Sequence, residues 1–342
     1  MLSRKRLARS QILILILAAI VAACSGGAEN AANGSTYHTD LILTQPEDLK
    51  AAQLQGDRPL QMVATTSIVA DVVANVGGEA IELDVIIPRM TDPHGYQLTP
   101  GDLRMLHDAD VVFINGLGLE ESLEQSLSQL PEDIPIVSLS EGIQLREFTL
   151  ERADTDADHD PEAHAATGVD PHVWFDPLNI GVWTDNAAQS LSALDPANAA
   201  TFQANSDTYH NQLEDLHNWI LTQLEEIPHA DRKLVTDHLF MGYFAQRYDF
   251  EIINALLPAF SSAASPSAQE LAGIQDSIRQ SGVQVIFIGI SSNRRIAEQI
   301  AGDTSVAVVP LYTGSLSELN GPADTYLLFM QYNVRAIATA LK

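Results

Sequence analysis

Three of the ten histidines stand where a metal ion could use them. His94 lies in Thr91-Asp92-Pro93-His94-Gly95-Tyr96, a Pro/Gly turn that follows an apolar run ending at Ile87. His172 lies in Asp170-Pro171-His172-Val173-Trp174-Phe175-Asp176-Pro177, just before a helix that Asp176 caps and Pro177 opens. His238 comes directly after the β-branched run 233–236, in Thr236-Asp237-His238. Each is thus expected at a strand end or a helix start, where open α/β sheets bind ligands. Taken singly, each is better explained as a surface or capping residue; three in such settings point to one shared ion. The chemistry is coordination by neutral imidazole. The ring nitrogen away from the metal usually needs a carboxylate or carbonyl partner, for which Asp92, Asp170 and Asp237 are the candidates. An isolated imidazole titrates near pH 6.5, so affinity is expected to fall steeply below about pH 6. A proline before His94 and before His172 restricts the preceding aspartate and fixes how each ring enters the site.

The elements that must carry these residues follow from periodicity. Short β-branched runs bounded by turn residues stand at 61–64, 81–87, 111–115 and 136–139, and again at 233–236, 251–255, 283–288 and 306–309. Stretches with helical spacing separate most of them, which predicts an α/β fold of two lobes, each a four-stranded, mainly parallel sheet flanked by helices. Between the halves, Asp195-Pro196 has the form of a cap and a first-turn proline. Phe202, Tyr209, Leu213, Leu216, Ile220, Leu224 and Ile227 then mark one long amphipathic helix ending at Pro228. At 1.5 Å per residue it would run roughly 45 to 50 Å, joining the lobes as a rigid link with modest motion. The expected organisation is a signal segment at 1–23, a tether at 24–59, an N-terminal lobe at 60–194, the linking helix at 195–228 and a C-terminal lobe at 229–342.

The N-terminus carries Arg4, Lys5, Arg6 and Arg9, then an apolar run from Ile12 to Ala23, then Val21-Ala22-Ala23-Cys24. That run is too short for a stable membrane span and has the layout of an export signal. Small residues before a cysteine also resemble the bacterial lipobox, in which the cysteine is acylated and begins the mature chain. Cys24 is the single cysteine of 342 residues, so no intrachain disulfide can form. Without the four basic residues of the signal, 14 basic face 45 acidic side chains, a net charge of −31. Such a surface repels phosphate backbones and excludes nucleic acid as a partner, while raising the local concentration of cations. Residues 25–59, rich in Gly, Ala, Asn and Ser at their start, have little periodicity and suit a flexible tether.

At the histidines the sequence resembles a known family. DPHGYQLTPGDLRMLHDADVVFINGLGLE, DPHVWFDP, TDHLFMGYFAQRYDF and LYTGSLSELNGPADTYLLFMQYNVRAI look like the successive blocks of zinc- and manganese-specific ABC-transporter solute-binding lipoproteins, cluster A-I. The resemblance runs from about Leu60 to Leu341. It implies two α/β lobes joined by a long helix, an ion in the interlobe cleft, and delivery to a membrane permease by a monomer anchored through lipid at the cell surface or in the periplasm. By motif position His94 and His172 match the two N-lobe ligands and His238 the first C-lobe ligand, which is histidine in zinc-type members. The chain departs from the pattern once. Many members carry an aspartate ligand where Gly314 stands, so the fourth position is expected to fall to water or to an oxygen such as that of Glu318. If the loop lies as the resemblance implies, an aspartate placed at 314 should add a ligand. Zinc-type members also carry a His- and acid-rich loop where this chain has 154–164, with His159 and His164; a solvated loop and weak metal capture are both open readings.

Other classes fit less well. Three histidines with an open position also describe a zinc hydrolase. However, the chain has no His-Glu-x-x-His helix, no Gly-x-Ser-x-Gly elbow and no P-loop, and Gly116-Leu117-Gly118 is too small a signal for a nucleotide. An adhesin or structural lipoprotein would not need a buried ion. Three imidazoles and a light oxygen suit Zn2+, whereas Mn2+ sites hold more carboxylate; Mn2+ is the alternative cargo, and Cu2+ would bind such a site more tightly in vitro.

Overall fold

The computed structural model describes residues 41–52, 58–150, 166–257, 262 and 266–342. The signal segment, Cys24, most of the tether and the 154–164 loop lie outside the described residues. Eight short strands form two parallel sheets of four. In the first, β1 (Leu60–Ala64), β2 (Ile81–Val85), β3 (Val111–Ile114) and β4 (Ile136–Ser138) lie in the order β2-β1-β3-β4. A hairpin follows, β5 (Glu147–Leu150) antiparallel to β6 (Ala166–Val169). The second sheet has the order β10-β9-β7-β8, with β7 (Lys233–Thr236), β8 (Glu251–Ala255), β9 (Val285–Gly289) and β10 (Ala307–Leu311). The inner strands β3 and β9 are buried at every position, as expected of a parallel sheet with helices on both faces, whereas edge strand β2 alternates.

Helices return the chain between strands, and their starts follow from local chemistry. Thr66 caps α1 (Ser67–Gly77) by accepting Val69 N–H. Thr99 and Asp102 form a reciprocal capping box at α2 (Pro100–His107), which Pro100 opens. A single turn, α3 (Glu124–Leu127), precedes β4. Asp176 caps α4 (Pro177–Leu194), as its sequence predicts. Then α5 (Ala199–Leu224) buries the predicted stripe from Phe202 through Leu224. In the C-terminal lobe stand α6 (Gly242–Tyr248), α7 (Ala268–Ser281) with a second capping box from Ser267 and Glu270, α8 (Arg295–Thr304) and α9 (Tyr326–Ala340).

Two expectations need correction. The link is shorter than 195–228: at 26 residues it spans about 39 Å. Asp195 does not cap it, because its carboxylate accepts Ala197 N at 3.1 Å and Asn198 Nδ2 at 2.6 Å and so turns the chain before the helix begins. The hairpin was not anticipated, although it sets the height of the second histidine motif: Asp170 N donates to Arg146 O at 3.0 Å just beyond its paired strands.

The link packs on α1 and α4 of the first lobe and on α9 of the second. One apolar cluster runs through both lobes, from Leu60 and Trp183 to Phe329 and Ile337, and smaller clusters fill the far faces of each sheet. No helix among the described residues is long and apolar enough to cross a membrane.

Candidate metal centre

Each of the three histidines is delivered by a backbone device that the flanking residues build. Asp92 Oδ1 accepts the amide of His94 at 3.0 Å and holds it in a single 3-10 turn, Pro93–Gly95. His172 begins the 3-10 turn Val173–Phe175 immediately after the hairpin. Asn115, just past the end of β3, supports that motif by donating its Nδ2 to Pro171 O at 3.2 Å. His238 follows β7, and its carbonyl accepts Thr236 Oγ1 at 2.7 Å and Phe240 N at 3.0 Å.

These turns converge. Among the described residues the three histidines form the group of potential ligands whose donor atoms all lie within 4.8 Å of one another. His94 Nε2 and His172 Nε2 are 3.2 Å apart. A tetrahedral zinc with bonds of about 2.0–2.1 Å holds neighbouring donors roughly 3.3 Å apart, so this edge has the size of a coordination polyhedron. Ring centroids are separated by 5.2 Å for His94–His172, 5.6 Å for His94–His238 and 5.2 Å for His172–His238. His172 and His238 are buried.

Two of the three candidate aspartates face rings. Asp170 Oδ1 accepts from both the backbone N and the Nδ1 of His172, at 3.0 and 2.9 Å. Asp237 Oδ1 does the same for His238, at 2.8 Å in each case. An Nδ1–H donated to a carboxylate leaves Nε2 with its lone pair, the form that can bind a metal. Asp92 instead spends its carboxylate on the His94 backbone and on Ser262 Oγ.

Electrostatics favour the neutral form of two of the rings. Burial, followed by the charges that His172 and His238 would carry, pushes His94 down to about 3. Burial and His238 likewise hold His172 well below the ordinary imidazole range. Burial raises Asp170 to about 7, against the His172 amide and Arg146, whose Nη1 lies 3.7 Å from Oδ2. Asp237 goes the other way: burial acts to raise it, but His238, a hydrogen bond from Ser292 and Gly289 N at 2.8 Å together hold it below the usual carboxylate value. Trp174 stands edge-on to His172 at 5.2 Å and Phe240 lies 4.9 Å from His238, an apolar wall that strengthens charge interactions inside.

Glu318 is exposed and is not one of the group. Gly116-Leu117-Gly118 has positive φ at all three positions, yet the amides of Asn115 and Gly116 point at the buried carboxylate of Glu120, at 2.7 and 3.0 Å. The concavity is filled by the chain's own carboxyl group, which explains the glycines without a nucleotide. Arg146 was missed by sequence reasoning, because nothing near it marks a hairpin partner for Asp170. Gly242 also escaped notice; a Cβ there would lie 2.2 Å from Asp170 Oδ2 and 2.3 Å from Arg146 Nη1, so the ion pair needs that glycine.

The ZnuA family, described as Zinc-uptake complex component A periplasmic, matches residues 62–340. The manganese-binding lipoprotein MntA of Halalkalibacterium halodurans is 28% identical over 283 residues, covering 82% of this chain and 88% of that protein. Among solved structures, the periplasmic zinc-binding protein TroA of Treponema pallidum superposes with a TM-score of 0.72 at 27% identity, over 83% of this chain and 99% of that one. The Mn-bound periplasmic metal-binding protein of Candidatus Liberibacter asiaticus shares the fold, with a TM-score of 0.71 at 23% identity over 83% of this chain and all of that one.

Proposed function

The chain belongs to the ZnuA family, the periplasmic metal-binding, solute-binding proteins of ABC transporters, and on that premise we propose that its cargo is Zn2+, held by His94, His172 and His238. The observation that carries this reading is the donor set: three imidazoles within 4.8 Å of one another and no carboxylate among them. Nitrogen donors suit Zn2+, whereas Mn2+ favours oxygen. Water completes the tetrahedron, since Glu318 is exposed and stands apart from the group. The protein acts as a monomer tethered by lipid at Cys24 and hands the ion to a membrane permease; its members' role is transport, not catalysis.

Manganese is the second reading, favoured by relatives such as MntA whose names say they bind it. Competition titration of the metal-free protein separates the two. Zinc is expected to bind as one equivalent and at least about 100-fold more tightly than manganese, following the order of divalent affinities. Equal or tighter manganese binding would reverse the assignment. In the same titration, alanine at His94, His172 or His238 should weaken zinc far more than Glu318→Ala, an exposed change expected to stay within about twofold.

A further inference from the structure

The chain between β10 and α9 belongs to the second lobe but is seated on the first by its backbone. Trp174 Nε1 donates to Thr313 O at 2.9 Å. Leu316 N donates to Ser67 Oγ at 3.0 Å, and Met90 N donates to Leu316 O at 3.2 Å. Arg89 Nη1 donates to Ser317 O at 2.9 Å and to Asp324 O at 2.8 Å. Gly314 sits inside this clamped stretch, against the ring of Pro93, the residue before His94. A Cβ at 314 would stand 2.5 Å from Pro93 Cδ and 2.8 Å from Pro93 Cγ. Carbon atoms in contact pack at about 3.5–4.0 Å, so this space exists only for glycine.

Neither side can yield at no cost. Hydrogen bonds to Thr313 and Leu316 fix the loop on both flanks of Gly314. The proline ring is rigid and φ-locked, and the turn it opens is capped by Asp92 on the amide of His94. Moving Pro93 therefore moves His94.

We propose that Gly314 is a positioning residue for the metal site: its missing Cβ admits the Pro93 ring, and that contact seats His94 at coordinating distance from His172 and His238. The inference rests on the three-histidine reading above. It reverses the expectation that an aspartate at 314 would supply a ligand, because the Cβ of any side chain meets Pro93 before a carboxylate could reach the ion.

The test is a double-mutant cycle on the full chain, read by zinc competition titration and by X-ray absorption of the zinc-loaded proteins. Gly314→Ala should lose about 10- to 100-fold in zinc affinity, the range seen when a ligand's support is disturbed, and its absorption spectrum should report two imidazoles in place of three. Gly314→Asp should be weakened at least as much. Pro93→Ala removes Cγ and Cδ, the two atoms in the way, so Pro93→Ala/Gly314→Ala should recover most of the loss relative to Pro93→Ala alone. Gly314→Ala binding within about threefold of the parent, or Gly314→Asp binding more tightly, would overturn the inference and leave the zinc assignment standing. Loss without recovery in the double variant would also overturn it, by removing Pro93 from the explanation. A parent protein that binds no zinc would instead sink the functional reading.

Discussion

An imidazole binds a metal only through an unprotonated nitrogen, so the pH at which these rings take up protons sets the acid limit of binding. Isolated histidines would set it near pH 6.5. Burial among one another moves His94 down to about 3 and His172 well below its ordinary range. In this arrangement His94 and His172 hold no protons to displace across mildly acid conditions. Zinc affinity is therefore expected to change by less than about a hundredfold between pH 7 and pH 5, far short of the roughly 10,000-fold loss that three free imidazoles would give. Titrations at fixed ionic strength across that range check this; a loss of more than about a hundredfold would show that the metal-free protein exposes its histidines to water. The contrast between Asp170 and Asp237 belongs to the same scale. Both receive an imidazole Nδ1, but at Asp237 the charge and hydrogen bond of His238, joined by Ser292 and Gly289 N, outweigh burial and hold it below the ordinary value, whereas burial prevails at Asp170.

At the scale of elements, three helices meet on one carboxylate. Asp71 of α1 accepts the hydroxyl of Tyr209 on α5 at 3.3 Å and the amide of Tyr326 at the start of α9 at 3.1 Å. A carboxylate at a helix start is favourable in principle. Here burial outweighs it and raises Asp71 to about 6. A carboxyl whose folded pKa lies above its unfolded one binds more protons when folded, so its contribution to stability declines as pH rises from about 4 to about 6. Asp71→Asn keeps an acceptor oxygen for both donors and removes the charge. Its melting temperature should match the parent's at pH 4 and exceed it by about 2 to 4 °C at pH 7.5, measured on metal-free protein. A variant less stable than the parent at pH 7.5 would mean that the charge itself holds the helices together. The eight main strands and the Asp176 cap were legible because their signals are local. The start of α5 was not: Asp195-Pro196 has the composition of a cap, and only the carboxylate's choice of Ala197 and Asn198 makes it a turn.

For the whole molecule, two features act at long range. The chain carries 45 acidic against 18 basic residues, which excludes polyanions and concentrates cations near a site whose ligands are neutral. A single apolar cluster passes through both lobes beside the linking helix, so opening by a wide hinge would expose packed side chains. The proposed acylation of Cys24 adds a prediction about location. Cys24→Ala is expected to release the protein from the membrane fraction into the soluble extracytoplasmic fraction, with zinc binding by the released protein unchanged. Retention in the membrane fraction on fractionation would show that something other than acylation at Cys24 anchors it.

Sequence alone determined what depends on neighbours along the chain. β-branched runs bounded by turns placed the strands, Asp176-Pro177 started α4, and proline and glycine around His94 marked a turn at a strand end. Tertiary structure decided what depends on residues far apart in sequence. It brought His94 and His172 of one lobe against His238 of the other, chose Asp170 and Asp237 over Asp92 as ring partners, and left Glu318 outside. It also gave Gly314 a meaning that its residue type could not. In sequence the glycine is a missing side chain, whereas in space it is the gap that Pro93 fills, because two loops from different lobes are held there by hydrogen bonds that only the folded chain can make.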